Sequence, residues 1–372
     1  MLASLALYTR QPLILAYIVL GALIGPFGLG WVEDIELLED SGHIGIMFLL
    51  FLLGLDMQPK ALHAVAKQAT LVAIASSILF FGIGYAVSYI FGFTLLESII
   101  IGLSCMFSST IISIKLLPTT ILHHKHAGDL IVGLLLLQDL IAIFTLIILF
   151  SSGSEGNMDY RSLGITLVSL PLIAFAAYLF VRFLLLKLIS QFDRVQEYIF
   201  LIALGWCLGM AELSAYLGLS AEIGAFIAGV TLATSPISQY IALNLKPLRD
   251  FFLVLFFFAL GARFNLGLIQ EIILPAVSLT ILVVALKPVV FRLLLSKTHE
   301  RKELAWSVGL RLGQNSEFAL LIAYMASSVH LIGQEASHLI QAIAILSFVI
   351  STYIVILVLP TPISLNDKLR RD

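Results

Sequence analysis

Charged side chains lie deep inside long apolar segments of this sequence, where they are energetically unfavourable. Asp139 follows Gln138 in an apolar run that spans residues 131–150. Measured from Asp129, it lies roughly 15 Å along a helix axis, near the midplane of a ~30 Å hydrocarbon layer. A carboxylate at that depth costs about 3 kcal/mol or more, so it indicates an ion or proton pathway. A buried aspartate that only packs against a neighbouring helix is the alternative interpretation.

A run of hydroxyl side chains occupies the middle of another apolar segment, residues 95–117, close to Gly102. The run comprises Ser108, Ser109 and Thr110. Such hydroxyls can donate to carbonyls of their own helix, which is their ordinary structural role. Three in succession beside small residues also favour a helix that opens near the midplane and offers backbone carbonyls to a cation. We expect them to form a monovalent-cation and proton site with Asp139 and Gln138.

Residues 303–328 carry a second polar run inside an apolar segment, directly after Gly313. The run comprises Gln314, Asn315, Ser316 and Glu317. Non-helical backbone at this depth is tolerated only where protein or a wet cavity satisfies it, so we predict a broken helix. Gly309 follows Gly102 by 207 positions, and the two polar runs keep the same offset. Matching breaks in oppositely oriented halves are typical of an inverted-repeat transporter with a midplane site.

The third polar element is Lys287, which precedes Pro288 within an apolar segment. A buried ammonium group needs a partner, and we predict an ion pair with Asp139. The proline frees one carbonyl a turn earlier, which could also accept a hydrogen bond. A lysine that merely reaches a water-filled cavity is the structural alternative.

These groups suggest a chemistry in which two ions compete for one carboxylate. Desolvation favours the protonated form of an acid, and a nearby cation favours the ionised form. A dehydrated cation would displace either the proton or Lys287 from Asp139, with the Gln138 amide oxygen, the hydroxyl run and opened backbone completing its shell. One site would then carry either species, but not both at once. No cofactor is predicted, because the expected ligands are the transported K⁺ or Na⁺ and H⁺ themselves.

Composition places the 372-residue chain among polytopic helical membrane proteins, with 60% hydrophobic residues, 12% charged residues and a mean hydropathy of +1.06. The apolar runs are long and continuous, unlike the short alternating strands of an outer-membrane barrel. The sequence carries neither an enzyme motif nor a nucleotide-binding fingerprint, and a net charge of −2 indicates no nucleic-acid partner. We predict spans at 12–29, 41–57, 68–91, 95–117, 129–150, 162–188, 196–217, 221–234, 247–268, 270–296, 303–328 and 337–359.

These spans suggest one transmembrane transport domain over residues 1–372, without a cytosolic regulatory domain. The first half is 12–150 with core helices at 95–150, the linking helix is 162–188, and the second half is 196–359 with core helices at 270–359. Lysine and arginine concentrate in alternate loops, and Arg161 and Arg263 are the two placed on the opposite side. The positive-inside rule therefore predicts that both termini are cytoplasmic, in a bacterial inner membrane.

The polar runs and their surroundings resemble the monovalent cation/proton antiporter family that includes Kef-type potassium/proton systems. The resemblance rests on Gln138-Asp139 in its leucine-rich run, the 108–110 hydroxyls, Gly313 to Phe318, Phe256 to Ala262, Gly21 to Leu29, Met47 to Asp56 and Glu222 to Val230. It implies a homodimer in lipid, two crossing discontinuous helices, an elevator-like shift and Asp139 as the ion-binding carboxylate. It also implies that Lys287 pairs with that acid.

Three departures from this family are visible in the sequence. One is the end of the ninth predicted span, Ala262 to Asn265, which is more basic than the family pattern. Members often have thirteen spans with an outside N-terminus, and here the first of them is missing from the predicted twelve. Kef-type systems usually append a nucleotide-binding domain, whose absence leaves room for a separate cytosolic regulatory subunit. Potassium is favoured over sodium as the exchanged ion. The alternatives are a gated potassium efflux pathway, for which no Thr-Val-Gly-Tyr-Gly filter is present, and a transport-inactive sensor on the same fold.

Overall fold

The computed structural model describes residues 4, 6, 8, 9, 11–32, 36–56, 59–118, 126–151, 171–192, 196–217, 219–235, 237–298 and 300–362. Their regular structure is helical, which confirms the predicted class for this part of the chain. The predicted linking helix at 162–188 is described only from residue 171 onwards, and residues 162–170 lie outside the described ranges.

The helices follow one another along the chain with short connections. They are α1 (Leu13–Ile24), α2 (Glu36–Asp56), α3 (Pro59–Ile90), α4 (Leu95–Cys105), α5 (Thr110–Lys115), α6 (His126–Ser151), α7 (Pro171–Gln191), α8 (Gln196–Tyr216), α9 (Ala221–Ala233), α10 (Ile237–Ala262), α11 (Ile269–Lys297), α12 (Lys302–Arg311), α13 (Glu317–Ser328) and α14 (Gln334–Val358). A π-helical turn at Val181–Leu185 lies within α7.

Six of the described helices are long and apolar enough to cross a membrane, namely α3, α6, α7, α8, α11 and α14. Helices α1, α4, α9 and α13, and the part of α2 from His43 to Leu55, are shorter but also apolar. This pattern confirms a multi-pass membrane protein. The span predicted at 247–268 lies largely on α10, which begins at Ile237 and continues through the charged residues around Pro247.

Two predicted spans are interrupted at the polar runs, as the sequence indicates. Helix α4 ends at Cys105 and α5 begins at Thr110, while α12 ends at Arg311 and α13 begins at Glu317. An eleven-residue helix such as α4 rises only about 16 Å, too little to cross a bilayer alone. Each interrupted pair therefore corresponds to one predicted span, with non-helical backbone in its middle.

The chain divides into two compact units, each drawn from both halves of the sequence. One contains Met1–Ala16, Leu62–Leu149 and Asn265–Asp372, and the other contains Tyr17–Ala61 and Phe150–Phe264. Both interrupted helices belong to the first unit, together with α6, α11 and α14. Each compact unit therefore combines segments that are far apart in the sequence.

The first unit holds its interrupted helices on an apolar core built by α3, α6, α11 and α12. That core includes Phe80, Leu134, Phe291 and Val308, each at most 2% exposed. The rings of Phe80 and Phe291 meet edge to face, with centroids 5.5 Å apart. Burial of these side chains fixes the helices that carry the polar groups.

In the second unit, α2 packs closely against α9 and α10. Gly54 on α2 faces Gly229 on α9, and a Cβ atom added at Gly54 would lie 2.6 Å from the carbonyl oxygen of Phe226. A Cβ added at Gly229 would overlap the carbonyl oxygen of Phe51. Small residues of this kind let helix backbones approach closely where lipid supplies no hydrophobic force.

We expect Gly229→Ala to lower the melting temperature of the detergent-solubilised protein, because overpacking against backbone costs about 1–3 kcal/mol. Gly205→Ala on α8 is the matched control, since its added Cβ would meet no atom within 4 Å. Thermal unfolding followed by fluorescence measures both variants. Equal melting temperatures for the two variants would contradict the close approach of α2 and α9.

Candidate functional site

In each interrupted helix, one serine side chain caps the start of the second half. The Ser109 hydroxyl accepts a hydrogen bond from the Ile112 N–H at 3.2 Å, and the Ser316 hydroxyl accepts one from the Phe318 N–H at 3.2 Å. Serine is a favoured N-cap, because its oxygen satisfies an N–H group that has no partner within the helix. The hydroxyl of Ser109 therefore acts as a helix cap, a role the sequence analysis did not assign to it.

Asp139 lies on α6 with its carboxylate at the start of α5. It is 1% exposed, and its Oδ2 accepts a hydrogen bond from the Thr110 hydroxyl at 3.0 Å. Its Oδ1 is buried and receives no hydrogen bond from the described residues. Glu317, the first residue of α13, is 5% exposed and close enough to interact electrostatically with Asp139. One carboxylate oxygen is thus held by Thr110, and the other is buried without a hydrogen-bond donor among the described residues.

Gln138 forms a hydrogen bond with the backbone of the first break. Its Oε1 accepts a hydrogen bond from the Ser108 N–H at 3.1 Å, and its buried Nε2 has no partner among the described residues. The Ser108 hydroxyl donates to the carbonyl oxygen of Leu312 at 2.8 Å, in the other break. Of the three predicted hydroxyls, only that of Thr110 contacts Asp139.

Gln314 joins both breaks to α14. Its Nε2 donates to the Ser113 hydroxyl at 2.8 Å, and its Oε1 accepts from the Ser351 hydroxyl at 2.9 Å. Asn315 adds a second link, because its backbone N–H donates to the Ser347 hydroxyl at 3.0 Å. The sequence analysis missed Ser347 and Ser351, although their spacing of four residues puts both hydroxyls on one face of an apolar helix.

The predicted ion pair between Asp139 and Lys287 is not formed in this structure, which describes both side chains. The Lys287 Nζ donates instead to the carbonyl oxygens of Phe107 at 2.6 Å and Gln314 at 3.0 Å, and to Asn315 Oδ1 at 3.3 Å. Carbonyls left free at helix breaks carry partial negative charge, so they compete effectively for an ammonium group. The carbonyl freed by Pro288 is not among these three acceptors.

Arg311, at the end of α12, is the largest of the fully buried side chains in the described residues. Its guanidinium donates to the carbonyl oxygen of Leu116 at 2.7 Å and to that of Pro360 at 2.6 Å. Its own carbonyl oxygen accepts from the Ser113 hydroxyl at 3.0 Å. It therefore links α12, the C-terminal end of α5 and the segment that follows α14.

We expect Arg311→Met to lower the melting temperature, because the carbonyl oxygens of Leu116 and Pro360 would lose charge-assisted hydrogen bonds, each contributing about 1.5–3 kcal/mol. Lys302→Met, at the exposed start of the same helix, is the control. Thermal unfolding in detergent compares the two variants. The linking role would be refuted if Arg311→Met melted no lower than the control.

The fold and the polar centre define a multi-pass membrane protein of the cation/proton antiporter fold. The chain superposes on the structure of the sodium proton antiporter MjNhaP1 from Methanocaldococcus jannaschii at pH 8, with a TM-score of 0.65 and 17% identity. The match covers 95% of this chain and 94% of that one. The predicted fold class, an inverted-repeat antiporter fold with two discontinuous helices, is confirmed.

The chain belongs to the sodium/hydrogen exchanger family, whose transmembrane model matches residues 1–360. It is 29% identical over 370 residues to K(+) efflux antiporter 5 of Arabidopsis thaliana, covering 97% of this chain and 64% of that protein. It is 30% identical over 366 residues to the putative cation/proton antiporter YbaL of Escherichia coli, covering 94% of this chain and 64% of YbaL. The chain therefore spans less than two thirds of each of these relatives, and the resemblance predicted from the sequence is confirmed.

Proposed function

We propose that this protein exchanges a monovalent cation for H⁺ across the bacterial inner membrane, with Asp139 as the group that binds either ion. The observation that carries the proposal is the carboxylate itself. It is buried beside both helix breaks, with one oxygen bonded to Thr110 and the other without a donor in the described residues. A membrane-buried acid with an open oxygen is suited to a transported ion.

The neighbouring groups favour competition between the proton and the cation. A second buried carboxyl group, that of Glu317, interacts electrostatically with Asp139, and a bound proton or cation would relieve the repulsion between the two. The start of α5 and the Thr110 hydroxyl stabilise the ionised form of the Asp139 carboxylate, which is the form that binds a cation. Each ion therefore displaces the other from the same oxygen, and that displacement is exchange.

Potassium is the preferred cation in this proposal, with sodium as the competitor. Support comes from the relative named a K(+) efflux antiporter, at 29% identity. The proposal also includes a homodimer and an elevator-like shift during transport, which the family resemblance supports. It includes cytoplasmic termini as well, which the distribution of lysine and arginine supports. Selectivity itself depends on the number and placement of coordinating oxygens around the ion.

We expect Asp139→Asn to abolish cation-dependent proton movement in proteoliposomes, because an amide cannot exchange a proton for a cation. A pH-sensitive dye inside the vesicles measures the movement after a potassium pulse. Asp250→Asn is the control, since Asp250 is exposed and pairs with Arg249 at 2.8 Å. Exchange that persists in folded Asp139→Asn would place the site elsewhere.

The same vesicles separate the alternative functions, because a channel passes potassium current without counter-moving protons. A sensor would move neither ion. Stoichiometric, opposite movement of potassium and protons by the unmodified chain is expected only of an exchanger.

Ion preference is tested by titrating the proton movement separately with potassium and with sodium. We expect half-saturation at a lower concentration of potassium than of sodium. The reverse order would reject potassium as the preferred cation while leaving the role of Asp139 intact.

A further inference from the structure

We propose that Arg182 and Lys187, on the exposed face of α7, bind the phosphate of an anionic phospholipid in the cytoplasmic leaflet of the membrane. The hydroxyl group of Tyr178 completes this lipid site. The inference requires that α7 crosses the membrane with its C-terminal end towards the cytoplasm, as the distribution of lysine and arginine predicts. It does not depend on which ion the chain transports.

Helix α7 is buried along one narrow edge only. Its buried residues recur at every fourth position and are Ile173, Ala177, Val181, Leu185 and Ile189. The large apolar side chains between them are exposed, and the most exposed is Phe183, at 69%. Because α7 is long and apolar enough to cross a membrane, this broad exposed face is suited to contact with lipid.

Two basic side chains interrupt this apolar face, and both are exposed. Arg182 lies nine residues before the end of α7, which is about 13 Å along the helix axis. A charge at that depth is unfavourable against hydrocarbon unless it has a polar or anionic partner. Residues 171–191 contain neither aspartate nor glutamate, so the helix itself supplies no carboxylate. Among the described residues, the Arg182 guanidinium forms one hydrogen bond, to the Tyr178 hydroxyl at 3.1 Å.

The π-helical turn of α7 includes Arg182 and ends shortly before Lys187. The N–H of Leu186 donates to the carbonyl oxygen of Val181, five residues earlier, so this turn holds one residue more than an α-helical turn. Arg182 and Lys187 are five residues apart, and the wider turn brings them closer to one face than a regular α-helix would. Like charges on one helix face repel each other. One anion bound to both would neutralise that repulsion.

The chemistry of these side chains matches a phospholipid headgroup. A guanidinium binds phosphate through paired N–H donors, and an ammonium group adds a compact positive charge. The Tyr178 hydroxyl accepts from Arg182, so its own O–H remains a donor for a phosphate oxygen. Long basic side chains extend towards the membrane surface, where anionic lipids attract them. The apolar side chains around them suit acyl chains, which favours a lipid over a free phosphate ion.

Trp206 on α8 reports on lipid beside the proposed site. Its ring stacks on that of Phe180, two residues before Arg182, with centroids 5.1 Å apart and planes inclined by 5°. The chain has three tryptophans, so Trp31→Phe with Trp306→Phe leaves Trp206 as the single emitter. Bromine atoms on an acyl chain quench tryptophan fluorescence on contact. Quenching of Trp206 therefore measures which lipid lies beside this part of α7.

The test reconstitutes this single-tryptophan chain into vesicles that mix phosphatidylglycerol with phosphatidylcholine, one of the two being brominated. We expect phosphatidylglycerol to be preferred at Trp206 by about fivefold, the preference that one basic side chain supplies near a membrane surface. Arg182→Gln with Lys187→Gln should remove the preference. Equal quenching by the two lipids before this change would overturn the proposal, and so would a preference that survives it.

Arg301→Gln with Lys302→Gln is the matched control, because both side chains are exposed and lie at the start of α12. It removes the same net charge and should keep the preference for phosphatidylglycerol. Loss of the preference in this control would assign it to the charge of the whole chain and overturn the site on α7. If the α7 double variant does not fold, Lys187→Gln alone takes its place and should weaken the preference. An unchanged preference in Lys187→Gln would then reject the shared site.

Two other occupants of this face would give different results. A second copy of the chain would shield Trp206 from both brominated lipids, so an absence of quenching would overturn the lipid assignment. A soluble anion would make the preference disappear when excess inorganic phosphate is added, whereas a lipid site should keep it. The vesicles carry no ion gradient, so either failure would leave the proposed exchange at Asp139 untouched.

Discussion

The described polar centre depends on one constraint, which is that exposed backbone in an apolar interior must find hydrogen-bond partners. Two helices of the first unit stop and restart within the membrane-spanning region, and each stop leaves N–H and C=O groups without helical partners. Serine side chains satisfy N–H groups at Ile112 and Phe318, and Gln138 satisfies that of Ser108. These polar side chains at the centre therefore act as hydrogen-bond partners of the main chain.

The two buried cations follow the same logic. Lys287 and Arg311 each donate to main-chain carbonyl oxygens of interrupted or terminating segments. Neither forms an ion pair with a carboxylate in the described structure. Partial negative charges on main-chain carbonyl oxygens at helix ends stabilise such cations in an apolar interior. Asp139 Oδ1 consequently has no donor among the described residues, and neither basic side chain contacts it.

Much of this arrangement could be predicted from residue type and position. The length of the apolar runs predicts the helices that cross the membrane. The polar runs at matching positions predict both breaks, at 106–109 and 312–316. The hydrogen-bond partners of the polar side chains could not be predicted. Sequence places Lys287 and Asp139 at similar depth, but it does not show that carbonyls of Phe107 and Gln314 lie closer to the ammonium group. Ser347 and Ser351 look like ordinary helix hydroxyls until the neighbouring break is known.

The Arg311 contact with Pro360 has a practical consequence for any shortened version of the chain. A fragment that stopped at Val358 would retain all of α14, yet the guanidinium would lose one of its two acceptors. A shortened chain that keeps this hydrogen bond therefore extends past the last helix to Pro360. A fusion partner or purification tag that replaces that proline would leave the buried guanidinium with only the Leu116 carbonyl oxygen as an acceptor.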